Sequence, residues 1–273
     1  MSATRVGRDG TLALDFQRRG GATVLAGCRF TLPLQVLAPV ALDDAAAVVS
    51  ILNPTGGLVG GDRLDIDVRL GPGAHACLTT PSATKVYRTA GEVAVQEARL
   101  RVEAGAILEW VPDHTIPFAG SAFRQSIGVT LGAGARLILV DAFAAGRVAR
   151  EERWRFHRLE SALDVRDAGG WLLLDRFALG AGAGDGLGLT EGAPYFATMV
   201  VAGGEAEATR TALAEAAASL VESRAAVGRT RRDALVVRCL APSAPALTET
   251  IDLLWGTARR ALLGLCRPAL RKG

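Results

Sequence analysis

Lysine, paired cysteines and net charge are all scarce in this 273-residue sequence. Lys85 and Lys272 are the only lysines, and 31 basic against 28 acidic residues leave a formal net charge of +3. So small an excess gives no electrostatic reason to expect a nucleic acid as a partner. The four cysteines lie far apart without a C-x-x-C pair. This spacing predicts reduced thiols in a cytoplasmic protein rather than a disulfide framework.

Long apolar runs are also lacking, although 49% of the residues are hydrophobic and only 5% are aromatic. The longest uncharged stretches contain proline or glycine and are shorter than the roughly 18 residues that indicate a membrane-spanning helix. No secretory signal pattern opens the sequence. We therefore expect a globular protein with a large aliphatic core and no membrane partner.

The 32 glycines do not form a nucleotide-binding motif. Alternate glycines between Gly180 and Gly188 lack the G-x-G-x-x-G spacing of a dinucleotide site. Gly56 and Gly61 have the outer spacing of a phosphate loop, but Asp62 stands where the phosphate-binding lysine would be. A carboxylate there would repel a triphosphate, so neither ATP nor GTP is expected. The sequence also contains no G-x-S-x-G and no H-E-x-x-H motif.

Residues 12–201 consist of short alternating or apolar runs separated by turn residues, a pattern typical of β-strands. Three turns have similar Gly-x-Gly or Ala-Gly-Ala chemistry, are about 30 residues apart, and are each followed by an apolar strand. They lie at residues 70–74, 103–106 and 131–135. Such a recurrence predicts a stacked, quasi-repetitive β architecture.

The character of the sequence changes after residue 188. Helical spacing of apolar residues predicts two amphipathic helices, at 205–223 and 247–265, with a strand at 234–240 between them. A group of arginines at 229, 231 and 232 is interpreted as a solvated loop. We predict a mainly β (α+β) fold in one domain, with a β-rich region at 1–203 and a helix-strand-helix region at 204–273.

Four segments carry unusual residue combinations. The first two are NPTGGLVGGDRL at 53–64 and LTTPSATKVYR at 78–88; the others are LEWVPDHTIPF at 108–118 and GRVARE at 146–151. In the first, paired glycines around Leu58 suit a tight connection, in which Asp62 can accept hydrogen bonds from free amides. In the third, alternation sends Glu109 and Trp110 to opposite strand faces, so one should be core and the other accessible.

The second segment carries hydroxyl groups on both sides of Pro81, which interrupts strand pairing. Ser82 and Thr84 precede Lys85, the only lysine in the body of the chain. Two interpretations stay open at this point: a hydroxyl-lined strand edge that faces a cavity or partner, and an ordinary solvated surface.

In order and spacing, the four segments resemble the urease accessory protein D family, which is called H in some organisms. A weaker similarity extends over most of the chain and includes LLLDRF at 172–177. The resemblance implies a non-enzymatic scaffold of layered sheets with β-solenoid character and a pair of helices. It also implies that the chain binds the urease apoprotein and accessory protein F, which recruits the GTPase accessory protein G.

The same resemblance implies that nickel passes transiently through an internal, water-filled tunnel, with no tightly bound cofactor. Weak oxygen ligands would suit such a path better than thiolates. The acidic candidates for the path are Asp62, Asp141, Glu151 and Asp175. Ser82, Thr84 and Lys85 are candidates for lining the same region, and Glu109 is a motif residue. Asp141 departs from the glutamate expected at its position.

Two other interpretations remain open from the residues themselves. Each acidic candidate could instead be a buried carboxylate paired with Arg63, Arg147 or Arg176. The protein could also be a hydrolase on a β scaffold that uses Asp62, Lys85 and His114, or a β-rich protein that binds an unrelated ligand. Catalysis by those three residues would require them to lie within hydrogen-bonding reach of one another or of the substrate.

Overall fold

The computed structural model of the chain describes residues 8–41, 46–89, 91–182 and 188–270. Within these residues the chain forms two sheets and two α-helices. The first sheet contains β1 (Asp9–Arg19), β2 (Ala22–Phe30), β6 (Arg63–Leu70), β9 (Ala94–Val102), β12 (Ala122–Leu131), β14 (Arg158–Asp167) and β15 (Gly170–Gly180). Its strand order is β15-β14-β12-β9-β6-β1-β2.

The second sheet alternates with the first along the chain. It contains β3 (Gln35–Val36), β4 (Val40–Ala41), β5 (Ala47–Leu52), β7 (His75–Thr79), β8 (Thr84–Val86), β10 (Ile107–Trp110), β11 (Thr115–Pro117), β13 (Arg136–Ala144), β16 (Tyr195–Ala202), β17 (Arg224–Arg229) and β18 (Leu235–Ala241). The main strand order is β17-β18-β16-β13-β10-β7-β5-β3, with β4 beside β5, β11 beside β13, and β8 beside β11.

The central strands form the coils of a β-solenoid. From β6 to β13 the chain passes repeatedly from the first sheet to the second, and strands of successive coils pair in parallel. The three similar turns stack on one another, because Gly73 donates its amide to Ala104 at 3.0 Å and Gly105 donates to Ala133 at 2.9 Å. The stacked β architecture predicted from these turns is confirmed.

The core has two layers. Alternate residues of both sheets meet in an aliphatic interior inside the coils, which includes Phe16, Leu100 and Leu139. The opposite face of the second sheet packs against the helices α1 (Ala206–Ala218) and α2 (Ala244–Leu263). Trp255 of α2 is 2% exposed and lies in this second layer.

The two predicted helices are present, but α1 ends five residues earlier than expected. The chain then forms β17, an edge strand that the sequence pattern did not reveal. Arg229 ends this strand and contacts Asp233 and Glu207, while Arg232 pairs with Asp167. The predicted solvated loop is therefore partly strand, and these two arginines are engaged in ion pairs. Of the glycine-rich segment at 180–188, positions 183–187 lie outside the described residues. No helix in the described ranges is long and apolar enough to cross a membrane.

Candidate functional site

The four unusual sequence segments lie side by side on successive coils. Leu58 of the first donates its amide to Lys85 of the second at 2.8 Å, and Phe118 of the third donates to Val86 at 2.9 Å. The guanidinium of Arg147, in the fourth, lies 4.4 Å from the centre of the Phe118 ring. The segments are about 30 residues apart in sequence and form one continuous region of the surface and interior.

The glycines of the first segment allow this close stacking. A Cβ atom on Gly57 would lie 2.5 Å from the carbonyl oxygen of Lys85, and one on Gly60 would collide with the Thr89 side chain. Asp62 is 4% exposed, and its carboxylate accepts amide hydrogen bonds from Arg8 at 2.8 Å and Val59 at 2.9 Å. The predicted role of Asp62 in bonding turn amides is confirmed.

A cavity of about 70 Å³ lies inside the coils, next to the second and third segments. That volume is enough for several water molecules. Apolar residues of both sheets form part of its wall, together with a polar set that consists of Asn53, Thr79, Thr80, Thr84, Gln96, Asp113, Thr115, Gln125 and Asp141. The hydroxyl-rich second segment thus faces a cavity through Thr80 and Thr84, whereas Ser82 and Lys85 are exposed.

Asp141 is the buried carboxylate of this cavity. It shares the inward face of β13 with Leu139 and Phe143. Gln125 of β12 donates to one carboxylate oxygen at 2.7 Å, and Ser161 of β14 donates to the other at 2.9 Å. Burial raises the pKa of Asp141 to about 6, although the hydrogen bonds from Ser161 and Gln125 act in the opposite direction.

A row of polar residues crosses the otherwise apolar interior at the level of Asp141. In the first sheet the row contains neighbours on three strands, Gln96, Gln125 and Ser161. In the second sheet it contains Asp141, Thr198 and Arg238, which are register partners on β13, β16 and β18. Arg238 donates to Asp175 of the edge strand β15 at 2.7 Å. The row therefore connects the cavity with the edge of the two sheets.

The structure places Asp141, Asp175 and Thr84 along this row and cavity, but separates the other candidates from it. The carboxylate of Asp62 binds the amide of Val59 in its own turn and the amide of Arg8, which precedes β1. Glu151 is exposed at the end of a short 3-10 turn, Val148–Arg150, with a positive φ of 59°. Ser82 and Lys85 lie on the surface of the second segment.

The arginines considered as partners for the acidic candidates contact other acids. Arg63 pairs with Asp65 and Glu97, Arg147 with Glu152, and Arg176 with Asp164. Asp175 has an arginine partner, but this partner is Arg238. The alternative of buried pairs with those three arginines is therefore wrong in its choice of partners, because each arginine pairs with an acid on its own strand or turn or on the adjacent strand.

Glu109 lies on the opposite face of the second sheet from the cavity. The expectation that either Glu109 or Trp110 would be accessible is wrong, since their exposures are 0% and 4%. Trp110 enters the coil interior and lines the cavity, while α2 covers Glu109. The Glu109 carboxylate accepts hydrogen bonds from His75 at 2.7 Å and from Trp255 at 2.6 Å.

Arg259 of α2 completes this buried cluster. Its Nε lies 2.9 Å from Glu109 Oε2, and the guanidinium is also 0% exposed. A paired carboxylate and guanidinium in such a position fix α2 against the sheet, because separating them would leave a buried charge without compensation. Glu109 is thus part of the packing between layers in this structure.

Gln125 and Ser161 were not identified from the sequence, although a signal for them exists. Gln125 interrupts the inward-facing series of Phe123, Ile127 and Val129 on β12, and Ser161 occupies the same kind of position on β14. A polar residue at an inward position of an alternating strand therefore indicated the row. Arg238 and Thr198 could be added only once the strand order was known.

The row offers carboxylate, hydroxyl and amide oxygens as ligands, together with the guanidinium of Arg238. In the described part of the chain, no three His, Cys, Asp or Glu side chains come together in a group that could hold a metal ion. The three residues considered for a hydrolase have separate environments. Asp62 binds the amides of Arg8 and Val59, Lys85 is exposed, and the His114 ring packs edge-on against Tyr195 with centroids 5.6 Å apart.

Comparison with known proteins agrees with the resemblance of the four segments. The family described as UreD urease accessory protein matches residues 8–272. A urease accessory protein UreD of Deinococcus radiodurans is 36% identical over 100% of this chain and 98% of its own length. Those of Anaeromyxobacter sp. and Pseudomonas putida KT2440 are 38% and 35% identical, over 86% and 95% of this chain and 76% and 92% of their own lengths. This chain therefore belongs to the UreD urease accessory protein family.

Proposed function

We propose that this protein is a scaffold for the maturation of urease and helps to deliver nickel to the urease metallocentre. Its membership of the accessory protein family supports the maturation role. The single structural observation that supports the delivery step is the polar row that leads from the interior cavity through Asp141 to Asp175. Burial of these polar side chains costs desolvation free energy that apolar residues would avoid, so the packing of an aliphatic solenoid does not by itself account for the row.

The residues of the row suit an ion in transit. Nickel would be the cargo of this protein rather than a resident cofactor. Carboxylate, hydroxyl and amide oxygens bind Ni²⁺ less tightly than thiolates or imidazoles do. With a pKa of about 6, Asp141 carries its negative charge at neutral pH while remaining easy to protonate. The cavity has room for water, so a partly hydrated ion could exchange ligands along the row.

Delivery requires partners on either side of this scaffold. We propose that the chain binds the urease apoprotein and accessory protein F, and that F connects it with the GTPase accessory protein G. We assign nucleotide hydrolysis to that separate chain. Asp62 stands where a phosphate loop would have its lysine, and its carboxylate binds the backbone amides of Arg8 and Val59. The assembly would operate in the cytoplasm, where the four cysteines stay reduced.

The experiment is coexpression of the chain with the urease subunits and with accessory proteins F and G from the same organism. Nickel per urease active site is measured by mass spectrometry after purification. Asp141→Asn keeps the size of the side chain and one acceptor oxygen for Gln125, and replaces the other oxygen by an amide that can donate to the Ser161 hydroxyl. We expect it to leave urease abundant but poor in nickel. Asp67→Asn, on the exposed outer face of the first sheet, is the matched control and should give full loading.

Copurification separates a defect in delivery from a defect in docking. The Asp141→Asn protein should still retain accessory protein F and urease in a pull-down. Full nickel loading with Asp141→Asn would exclude the interior row as the route. Full loading in a strain that lacks the protein altogether would exclude the maturation role as well.

A further inference from the structure

One guanidinium lies where the polar row reaches the edge of the sheets. Arg238 of β18 donates to Asp175 Oδ1 at 2.7 Å and to Thr198 Oγ1 at 2.6 Å. Thr198 in turn is the register partner of Asp141 on the next strand, β13. Arg238 therefore lies one strand away from Thr198 and contacts the carboxylate of Asp175 directly.

Asp175 and Arg238 both act electrostatically on Asp141. The negative charge of Asp175 disfavours ionisation of Asp141, and the positive charge of Arg238 favours it. Together the three groups carry a net charge of −1 when all are ionised. Without the guanidinium the same place would carry −2, beside the hydroxyls of Ser161 and Thr198, which is an oxygen-rich setting for a divalent cation.

We propose that Arg238 is the counter-ion that prevents Asp141 and Asp175 from retaining a divalent cation. This inference rests on the proposed delivery route and identifies the residue that keeps the route from becoming a storage site. A route for a cargo ion has to bind weakly at every position, and a fixed positive charge beside two carboxylates weakens cation binding by direct repulsion and by occupying one carboxylate.

The position of Arg238 also allows it to move. Its side chain is 52% exposed and the Asp175 side chain is 18% exposed. Ion pairs with an exposed partner contribute little to stability, so the pair can open without disturbing the fold. Arg238 can thus turn toward solvent when an ion or an acidic partner surface arrives, and return when the ion has left.

The test measures Ni²⁺ binding to the purified full-length chain by isothermal titration calorimetry with nickel sulfate as the only probe. We expect Arg238→Gln to bind one Ni²⁺ about tenfold or more tightly than the wild type. Arg238→Lys keeps the positive charge and should match the wild type. The double variant Arg238→Gln/Asp175→Asn removes one carboxylate as well and should lose the added affinity.

Equal Ni²⁺ affinity of folded Arg238→Gln and wild type would overturn the proposal. So would a gain that persists in the double variant, because the added binding would then not involve Asp175. If Arg238→Gln does not fold, Arg238→Met, which keeps the aliphatic stem, is measured against the same criteria. These affinities are independent of urease loading, so they can fail while Asp141→Asn still impairs nickel delivery, and the reverse also holds.

Discussion

The carboxylate of Glu109 accepts a hydrogen bond of 2.6 Å from the indole nitrogen of Trp255, a residue 146 positions further along the chain. The same carboxylate binds the buried guanidinium of Arg259. These contacts join the central strand β10 to the last helix, and they place one ion pair in a layer from which water is excluded. The link between the solenoid and its C-terminal helix is therefore electrostatic as well as apolar.

We expect Glu109→Gln to lower the free energy of unfolding by about 3 kcal/mol or more, because it removes the negative charge that compensates the buried guanidinium of Arg259. Urea unfolding followed by circular dichroism measures the change. Glu103→Gln is the matched control, because Glu103 pairs with Arg69 at the exposed surface. This substitution should lower the free energy of unfolding by about 1 kcal/mol or less. Equal losses in the two variants would show that the buried pair contributes no more to stability than the exposed pair does.

The raised pKa of Asp141 predicts a pH-dependent stability. Its folded-state pKa of about 6 exceeds the ordinary value of 3.8, so the folded state holds the proton more tightly than the unfolded chain does. This contribution is complete below pH 3.8 and is lost as the pH rises through 6. We expect the stability of Asp141→Asn relative to the wild type to increase by about 2 kcal/mol between pH 4 and pH 7.

Asp167 provides a control in which stability should depend on pH in the opposite direction. The hydrogen bond from Arg232 lowers the pKa of Asp167, and the backbone amide of Gly169 acts in the same direction. Its contribution should therefore be present at neutral pH and be lost as the pH falls through the folded-state pKa. A flat difference between Asp141→Asn and wild type across pH 4 to 7 would contradict the burial of an ionisable Asp141.

Gly57→Ala tests the close approach of the first and second segments. The new methyl group would meet the Lys85 carbonyl oxygen at 2.5 Å, a backbone atom that cannot move aside without displacing its strand. We expect a loss of about 1 to 3 kcal/mol in thermal or urea unfolding. Gly128→Ala on β12 is the control, since the nearest atom to its Cβ lies 4.0 Å away. Tolerance of Gly57→Ala would mean that the segments can separate.

The four cysteines should differ in reactivity. None forms a disulfide in the described structure; Cys28 and Cys266 are exposed, whereas Cys77 and Cys239 are buried. Burial raises the pKa of Cys239 to about 12, which keeps it in the unreactive thiol form. We expect an aromatic disulfide reagent to titrate two thiols in the native protein and four in denaturant. Rapid reaction of a third thiol in the native protein would contradict the packing of the second layer.

The sequence predicted the features that depend on local chemistry. The three similar turns and the amide contacts of Asp62 follow from glycine, alanine and aspartate at fixed offsets, and all were confirmed. It could not predict that α2 covers Glu109, because that contact joins residues about 150 positions apart. The partners of Asp141 were missed for the same reason, since Gln125, Ser161 and Arg238 come together only through the strand order.

Because the coils stack, the number of residues in one coil determines which side chains meet. Arg63 and Glu97 on the outer surface are 34 positions apart, and so are His75 and Glu109 beneath the C-terminal helix. One coil length therefore sets the register of an exposed ion pair and of a buried cluster at once. Insertion or deletion of a single residue within β9 or β10 would shift the strand register and turn its inward-facing side chains to the other face, whereas a substitution alters one side chain. The chain should thus tolerate changes of residue far better than changes of length within its coils.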